Sequence, residues 1–146
     1  MATVVSIHRV NERDAPAVAL DAATCIADFG LEGDWRGCAG RARQLTLIEA
    51  ETLEHVAAAL GMDAVPPGAS RRQVVVRGIA LNDTIGKHLR VGPVLLHVGY
   101  PCDPCDNMES KIGPGARRAM EGRGGVCARI IEGGVVRPGD GVTAID

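Results

Sequence analysis

Aromatic residues are almost missing from this chain of 146 residues: Phe29, Trp35 and Tyr100 are the only three. A core of stacked rings is thereby excluded, so the interior must be built from Val, Ile, Leu and Ala. The length suffices to bury such a core in one domain, expected to span residues 1–146. An excess of charge of one sign is missing too. The formal net charge is −2, so no global basic field draws the chain to nucleic acid or to anionic lipid. Long apolar runs are absent, and none approaches the roughly 20 residues of a membrane span. The N-terminus, MATVVSIHRV, lacks the charged-then-apolar layout of a signal peptide. The expected location is the cytoplasm, with no membrane or nucleic-acid partner.

Cysteine is present, but in a pattern that argues against a disulfide framework. The five, at positions 25, 38, 102, 105 and 127, cannot all pair, and a cytosolic chain of this size needs no bridges to fold. Cys25 in ATCIADF and Cys127 in GVCARII read as small buried apolar residues. Cys38, in the Gly-rich stretch RGCAGRA, is ambiguous. Cys102 and Cys105 differ from these. They lie in GYPCDPCDNMES, among prolines and charges, where burial as simple apolar residues is not the natural reading.

The patterning is strand-rich. TVVSIHRV reads as an opening strand with Val5 and Ile7 on one face, and QLTLIE at 44–49 as a second. Residues 11–40 look irregular. A helix is expected next, because Leu53, Val56, Ala57 and Leu60 recur at helical spacing and Gly61 sits where a left-handed cap belongs. QVVVRGI at 73–79 and VLLHVGY at 94–100 are strong strands. A short helix is expected near Ala116–Met120. VCARIIEGGVVRPGD reads as a hairpin turning at Glu132-Gly133-Gly134, and VTAI as the closing strand. Six or seven strands without regular helix alternation exclude a doubly wound parallel sheet. They indicate a mainly antiparallel barrel or sandwich, with the helix at about 50–60 packed outside.

Three chemistries fit the CDPC pair. A dithiol oxidoreductase needs a thiolate at a helix N-terminus, but no βαβ pattern surrounds this one. Structural zinc needs four ligands, and one CxxC supplies two; Cys38 and the four histidines offer no second clustered pair. The third is a single functional thiolate, Cys102, at a strand end beside an anion-binding surface. Arg71, Arg72, Arg117, Arg118 and Arg123 are the basic candidates for that surface. GRGG at 122–125 adds backbone N–H groups that an oxyanion can approach closely.

Five stretches then appear in a fixed order: GLEGD at 30–34, RQLTLIEAE at 43–51, RRQVVVRGIALN at 71–82, GYPCDPCDNME at 99–109 and GRGGVCARIIEGGVVRPGD at 122–140. In these the chain resembles the MOSC domain, named for the C-terminal part of molybdenum cofactor sulfurases and found as small stand-alone bacterial proteins. The resemblance implies a largely antiparallel MOSC-type β-barrel with a few short helices. It implies a cysteine that carries sulfur as a persulfide or ligates molybdenum, and by motif position that is Cys102. Cys105 matches members with a CxxC and is assigned a supporting or resolving role. Cofactor contacts fall by motif on Arg72, Asn82, Arg123 and Gly124. Many members carry a histidine where this chain has Arg36, which is expected to contact the cofactor anion instead.

The implied ligand is the molybdenum cofactor (molybdopterin). The implied protein partner is a sulfur donor or acceptor. The implied role is cofactor binding, sulfur carriage, or both, with molybdenum-dependent reduction of N-hydroxylated compounds as the enzymatic alternative. Arg72, Asn82 and Arg123 are expected to converge with Cys102 on one concave surface.

Overall fold

The computed structural model describes residues 1–145. The strands are β1 (Thr3–Arg9), β2 (Val18–Leu20), β3 (Ala23–Ile26), β4 (Gly30–Leu31), β5 (Leu45–Glu49), β6 (Val74–Arg77), β7 (His88–Val91), β8 (Val94–Pro101), β9 (Val126–Glu132), β10 (Gly134–Val136) and β11 (Val142–Ile145). Three α-helices accompany them, α1 (Ala50–Leu60), α2 (Asp106–Ile112) and α3 (Ala116–Ala119). One sheet has eight strands in the order β11-β7-β8-β9-β5-β6-β1-β2, and a second has three, β10-β3-β4. Among the described strands only β5 and β6 pair in parallel; the rest is antiparallel, as expected.

The parallel pair follows from α1. Parallel neighbours need a crossover, and α1 lies between β5 and β6 in the chain. Strand alternation then sends Leu45, Leu47, Val74 and Val76 into the aliphatic core, which the inward residues of both sheets share. Ile48 and Val75 point the other way, where Leu53, Val56 and Ala57 of α1 cover them. With both faces covered, these strands read as continuous apolar runs. Each fully buried Leu, Ile or Val of this layer contributes about 1.5–3 kcal/mol. Gly61, at φ 67°, ends the helix by donating its N–H to the carbonyls of Ala57 and Ala58.

Several expectations need correction. Among the described residues no closed barrel forms: both sheets are open. The sheet ends approach through a single bridge between Thr3 and Gly141 and a few backbone bonds, such as Val4 N–H to the Asp140 carbonyl at 2.8 Å, which make no strand ladder. Residues 11–40 are not wholly irregular, because they hold β2, β3 and β4, strands of two to four residues. Val5 is exposed and Val4 buried, since the β1–β6 register shifts between Val4 and Ser6.

The expected hairpin at 126–136 is absent as well. β9 pairs with β8 and β5, whereas β10 joins β3 in the other sheet. Gly133 and Gly134 carry the chain between sheets, and a Cβ on Gly133 would stand 2.5 Å from the Cys25 carbonyl oxygen. The stretch CDNMES is the start of α2, with Cys105 as its N-cap.

Candidate functional site

Cys102 follows directly on Pro101, the last residue of β8. Its N–H donates to the Gly125 carbonyl at 2.8 Å, so the backbone is held although the strand has ended. The β8–β9 ladder pairs Tyr100 with Cys127 and Pro101 with Val126. Residues two apart share a face, which places Tyr100, Cys102 and Cys127 on the same side of this pair. β5 flanks β9 on its other edge, with Thr46 opposite Cys127. Both thiols are buried, Cys102 at 5% exposure and Cys127 at 1%.

The neighbouring Cys127 thiol is the main reason the Cys102 thiol is pulled down, to about 6. Burial opposes ionisation, while the charges of Arg72 and Arg43 favour it. Cys127 is pushed up, first by Cys102 and then by burial. The pair thus favours ionisation at Cys102 and retention of the proton at Cys127. A thiolate is both the nucleophilic form of cysteine and the form that binds soft metals.

Arg72 explains the local backbone. It is 3% exposed and its guanidinium is committed to carbonyls: Nε to Gly124 at 2.8 Å, Nη1 to Ser70 at 3.1 Å, Nη2 to Asp103 at 3.0 Å and to Cys102 at 3.3 Å. One charged side chain thus ties three loops together and brings positive charge beside the Cys102 sulfur. Gly124 makes this possible, because a Cβ there would strike the Cys102 carbonyl oxygen. Gly125, at φ 92°, is equally constrained by the carbonyl of Leu47.

Arg36 is a second clamp. Its Nε and Nη2 both reach the Asp34 carboxylate at 2.8 Å, and Nη1 reaches the Arg71 carbonyl at 2.8 Å. Burial works against ionisation of Asp34, yet the bonds from Arg36 and from the Val10 N–H hold its carboxyl below the ordinary value. Arg36 therefore joins the GLEGD motif to the Arg71-Arg72 stretch. Arg71 adopts φ 65°, a left-handed conformation unusual for a residue with a Cβ. The turn sends Arg72 inward, while Arg71 extends to the Ala15 carbonyl at 2.8 Å.

Past Thr46 and Arg72, which neighbour the thiols, opens a cavity of about 550 Å³ that neither Cys102 nor Cys127 itself lines. Its walls carry six arginines, Arg13, Arg36, Arg41, Arg43, Arg71 and Arg72, together with Cys38 and Cys105. Arg36 and Arg72 are spent on protein acceptors. Arg13 and Arg41 make no side-chain hydrogen bond or ion pair among the described residues. Such a wall is suited to an anion, above all a phosphate, which guanidinium groups bind through paired hydrogen bonds.

The residues singled out in the sequence divide here. Cys102, Arg72 and Gly124 meet, Arg36 and Cys105 line the cavity, and Asn82 and Arg123 do not line it. Asn82 Nδ2 donates to the Gly122 carbonyl at 3.0 Å. Arg123 is exposed and its charge acts on Glu49, whose carboxyl burial pushes up. Asn82 thus braces the outer side of the 122–125 loop, the inner side of which meets Cys102. Cys105 is exposed at the start of α2, and all five thiols are free. Among the described residues no three of His, Cys, Asp or Glu gather as a metal set, so the zinc reading has no ligand group.

Sequence reasoning missed Cys127 as a partner, and missed Arg41 and Arg43. The two arginines had a signal: two positive charges close together directly before β5. Cys127 had none, since its neighbour is decided by the β8–β9 register.

The model of the MOSC domain matches residues 34–143. The chain belongs to the MOSC domain family. Among solved structures it is similar to YuaD from Bacillus subtilis, with a TM-score of 0.83 at 18% identity over 99% of this chain and 96% of that one. YiiM from Geobacillus stearothermophilus gives 0.80 at 18% identity, over 100% of this MOSC chain and 76% of that one. YiiM from Escherichia coli gives 0.73 at 18%, over 99% and 70%. At such identities the likeness speaks for the fold. No curated protein matches the sequence.

Proposed function

We propose that this MOSC protein binds a molybdenum–pterin cofactor in the arginine-lined cavity and carries sulfur on Cys102. The observation that carries the reading is the juxtaposition of the two parts: a buried thiolate beside a cavity whose walls hold arginines without protein partners. The donor set suits the group. Arg13, Arg41, Arg43 and Arg71 would hold its phosphate, and the Cys102 thiolate is a soft ligand matched to a thiophilic metal. When bound, the cofactor supplies a redox-active metal centre with affinity for sulfur. The protein's own share is separate from that chemistry. Cys127 and the arginines keep Cys102 ionised, Arg72 fixes its backbone, and burial keeps water from the sulfur.

The test is to purify the protein from molybdate-supplied cells and measure molybdenum by elemental analysis, pterin by fluorescence and bound sulfane sulfur by mass. Wild type is expected to retain cofactor and to accept one sulfur atom from a persulfide donor. Cys102→Ser should take up no sulfane sulfur, and Arg41→Glu/Arg43→Glu should lose pterin. Absence of both cofactor and sulfane sulfur in the wild type defeats the reading.

A further inference from the structure

The thiol pair of this site is not the one written in the CDPC motif. Cys105 caps α2 and is exposed on the cavity wall. Cys127 comes from the neighbouring strand, 25 positions after Cys102, yet the ladder puts it on the same face as Cys102, and each thiol acts on the other's ionisation. Both sulfurs are buried, and the chain facing Cys102 is Gly124-Gly125, with no side chain to stand between them. Cys102 lies one residue beyond the last paired position of β8. No cross-strand partner in the ladder fixes its side chain, and closing a disulfide needs that side chain to turn toward Cys127.

We propose that Cys127 discharges the sulfur carried by Cys102, releasing it as sulfide and leaving a Cys102–Cys127 disulfide. The inference rests on the sulfur-carrier reading above and adds to it the fate of the sulfur. As Cys127 gives its proton to the terminal sulfur of the persulfide, its sulfur attacks the Cys102 Sγ and a new S–S bond forms. The bond from Cys102 Sγ to the terminal sulfur breaks, and that sulfur leaves with the bonding electron pair. With the Cys127 proton and the persulfide's own, it departs as hydrogen sulfide. The terminal sulfur is reduced, and the two protein sulfurs together supply its two electrons as they become a disulfide. No outside reductant is needed for the discharge; a dithiol reductant resets the pair afterwards. Released beside the arginine wall, the hydrogen sulfide is delivered where an acceptor would sit.

The experiment loads the full chain with sulfane sulfur from inorganic polysulfide, removes the excess, and follows sulfide release with peptide mapping of disulfides. Wild type should release close to one sulfide per loaded Cys102 and accumulate a Cys102–Cys127 bridge. Cys127→Ser, which keeps the side-chain size, should hold the persulfide and release at least tenfold more slowly. Cys105→Ser should behave as wild type. A bridge between Cys102 and Cys105, or equal release from Cys127→Ser, overturns the inference. A second arm treats unloaded protein with the thiol oxidant diamide, where the same Cys102–Cys127 bridge is expected and a Cys102–Cys105 bridge would overturn it. If Cys102 accepts no sulfur but the diamide bridge forms as expected, the carrier reading fails while the pairing of the thiols stands.

Discussion

Two sets of arginines border the same cavity and do opposite work. Arg72 and Arg36 are turned into the protein, where their guanidinium groups donate to backbone carbonyls or to Asp34. Arg13, Arg41 and Arg43 are exposed and are not tied down in this way. The first set assembles the site, and the second gives it a charge to offer. Motif position does not separate them: the arginine of the RR…LN stretch that the family resemblance marks for cofactor contact is the one most fully consumed by structure.

The largest effect should follow from removing the buried clamp. Arg72→Ala leaves the carbonyls of Gly124, Ser70, Cys102 and Asp103 without that donor, and unsatisfied buried acceptors cost about 1–3 kcal/mol each where water cannot reach them. A loss of at least about 3 kcal/mol in urea unfolding is expected. Arg72→Lys should recover only part, because an ammonium cannot span the fork. A loss under about 1 kcal/mol would place Arg72 with the ligand-facing set.

Arg36 should come second. Arg36→Gln removes the bidentate partner of Asp34 but leaves the N–H groups of Val10 and residue 36 on that carboxylate, so about 1–2 kcal/mol is expected. The pH dependence has a definite sign. Asp34 is lowered in the folded protein, so its stabilisation is complete above its ordinary value near 3.8 and is lost as pH falls through the lower folded value. Arg36→Gln should flatten that acid limb, as seen by comparing urea midpoints at pH 3 and pH 6, roughly the two sides of the carboxylate range. An unchanged acid limb would mean that Arg36 does not hold Asp34 in solution.

What the sequence made legible follows the same line between local and long-range causes. β5, α1, β6 and β8 were readable because a run of aliphatic residues or a helical repeat is a local signal, and Gly61 marks its own helix end. β2, β3 and β4 were not, because strands of two to four residues owe their existence to partners such as β10 and β1. The run 126–136 looked like a hairpin since Gly133-Gly134 resembles a turn; only the second sheet reveals a crossing. At the site, Cys102 was legible from its motif and its place after a strand. The identity of its thiol partner was not, because sequence adjacency favours Cys105 while strand register selects Cys127.

The smallest effect on stability, and the sharpest test of the comparison, belongs to the exposed set. Arg41→Gln/Arg43→Gln removes two charges from the cavity wall, and neither side chain donates a hydrogen bond to protein among the described residues. Unfolding should change by no more than about 0.5 kcal/mol, as for surface substitutions away from any clamp. Anion binding should respond quite differently. With pyrophosphate as probe, titrated against thermal stability at low salt, the stabilisation seen in wild type should fall by roughly tenfold in apparent affinity. That corresponds to one lost charge-assisted hydrogen bond of about 1.5 kcal/mol. Because the wall is exposed, the wild-type response should also weaken as salt is raised. Arg72→Lys supplies the contrast: it should lower stability first and alter pyrophosphate affinity only as far as the fold loosens. A double variant that unfolds like Arg72→Ala, or one that binds pyrophosphate as wild type does, would erase the distinction between the arginines that build the site and those that face its ligand.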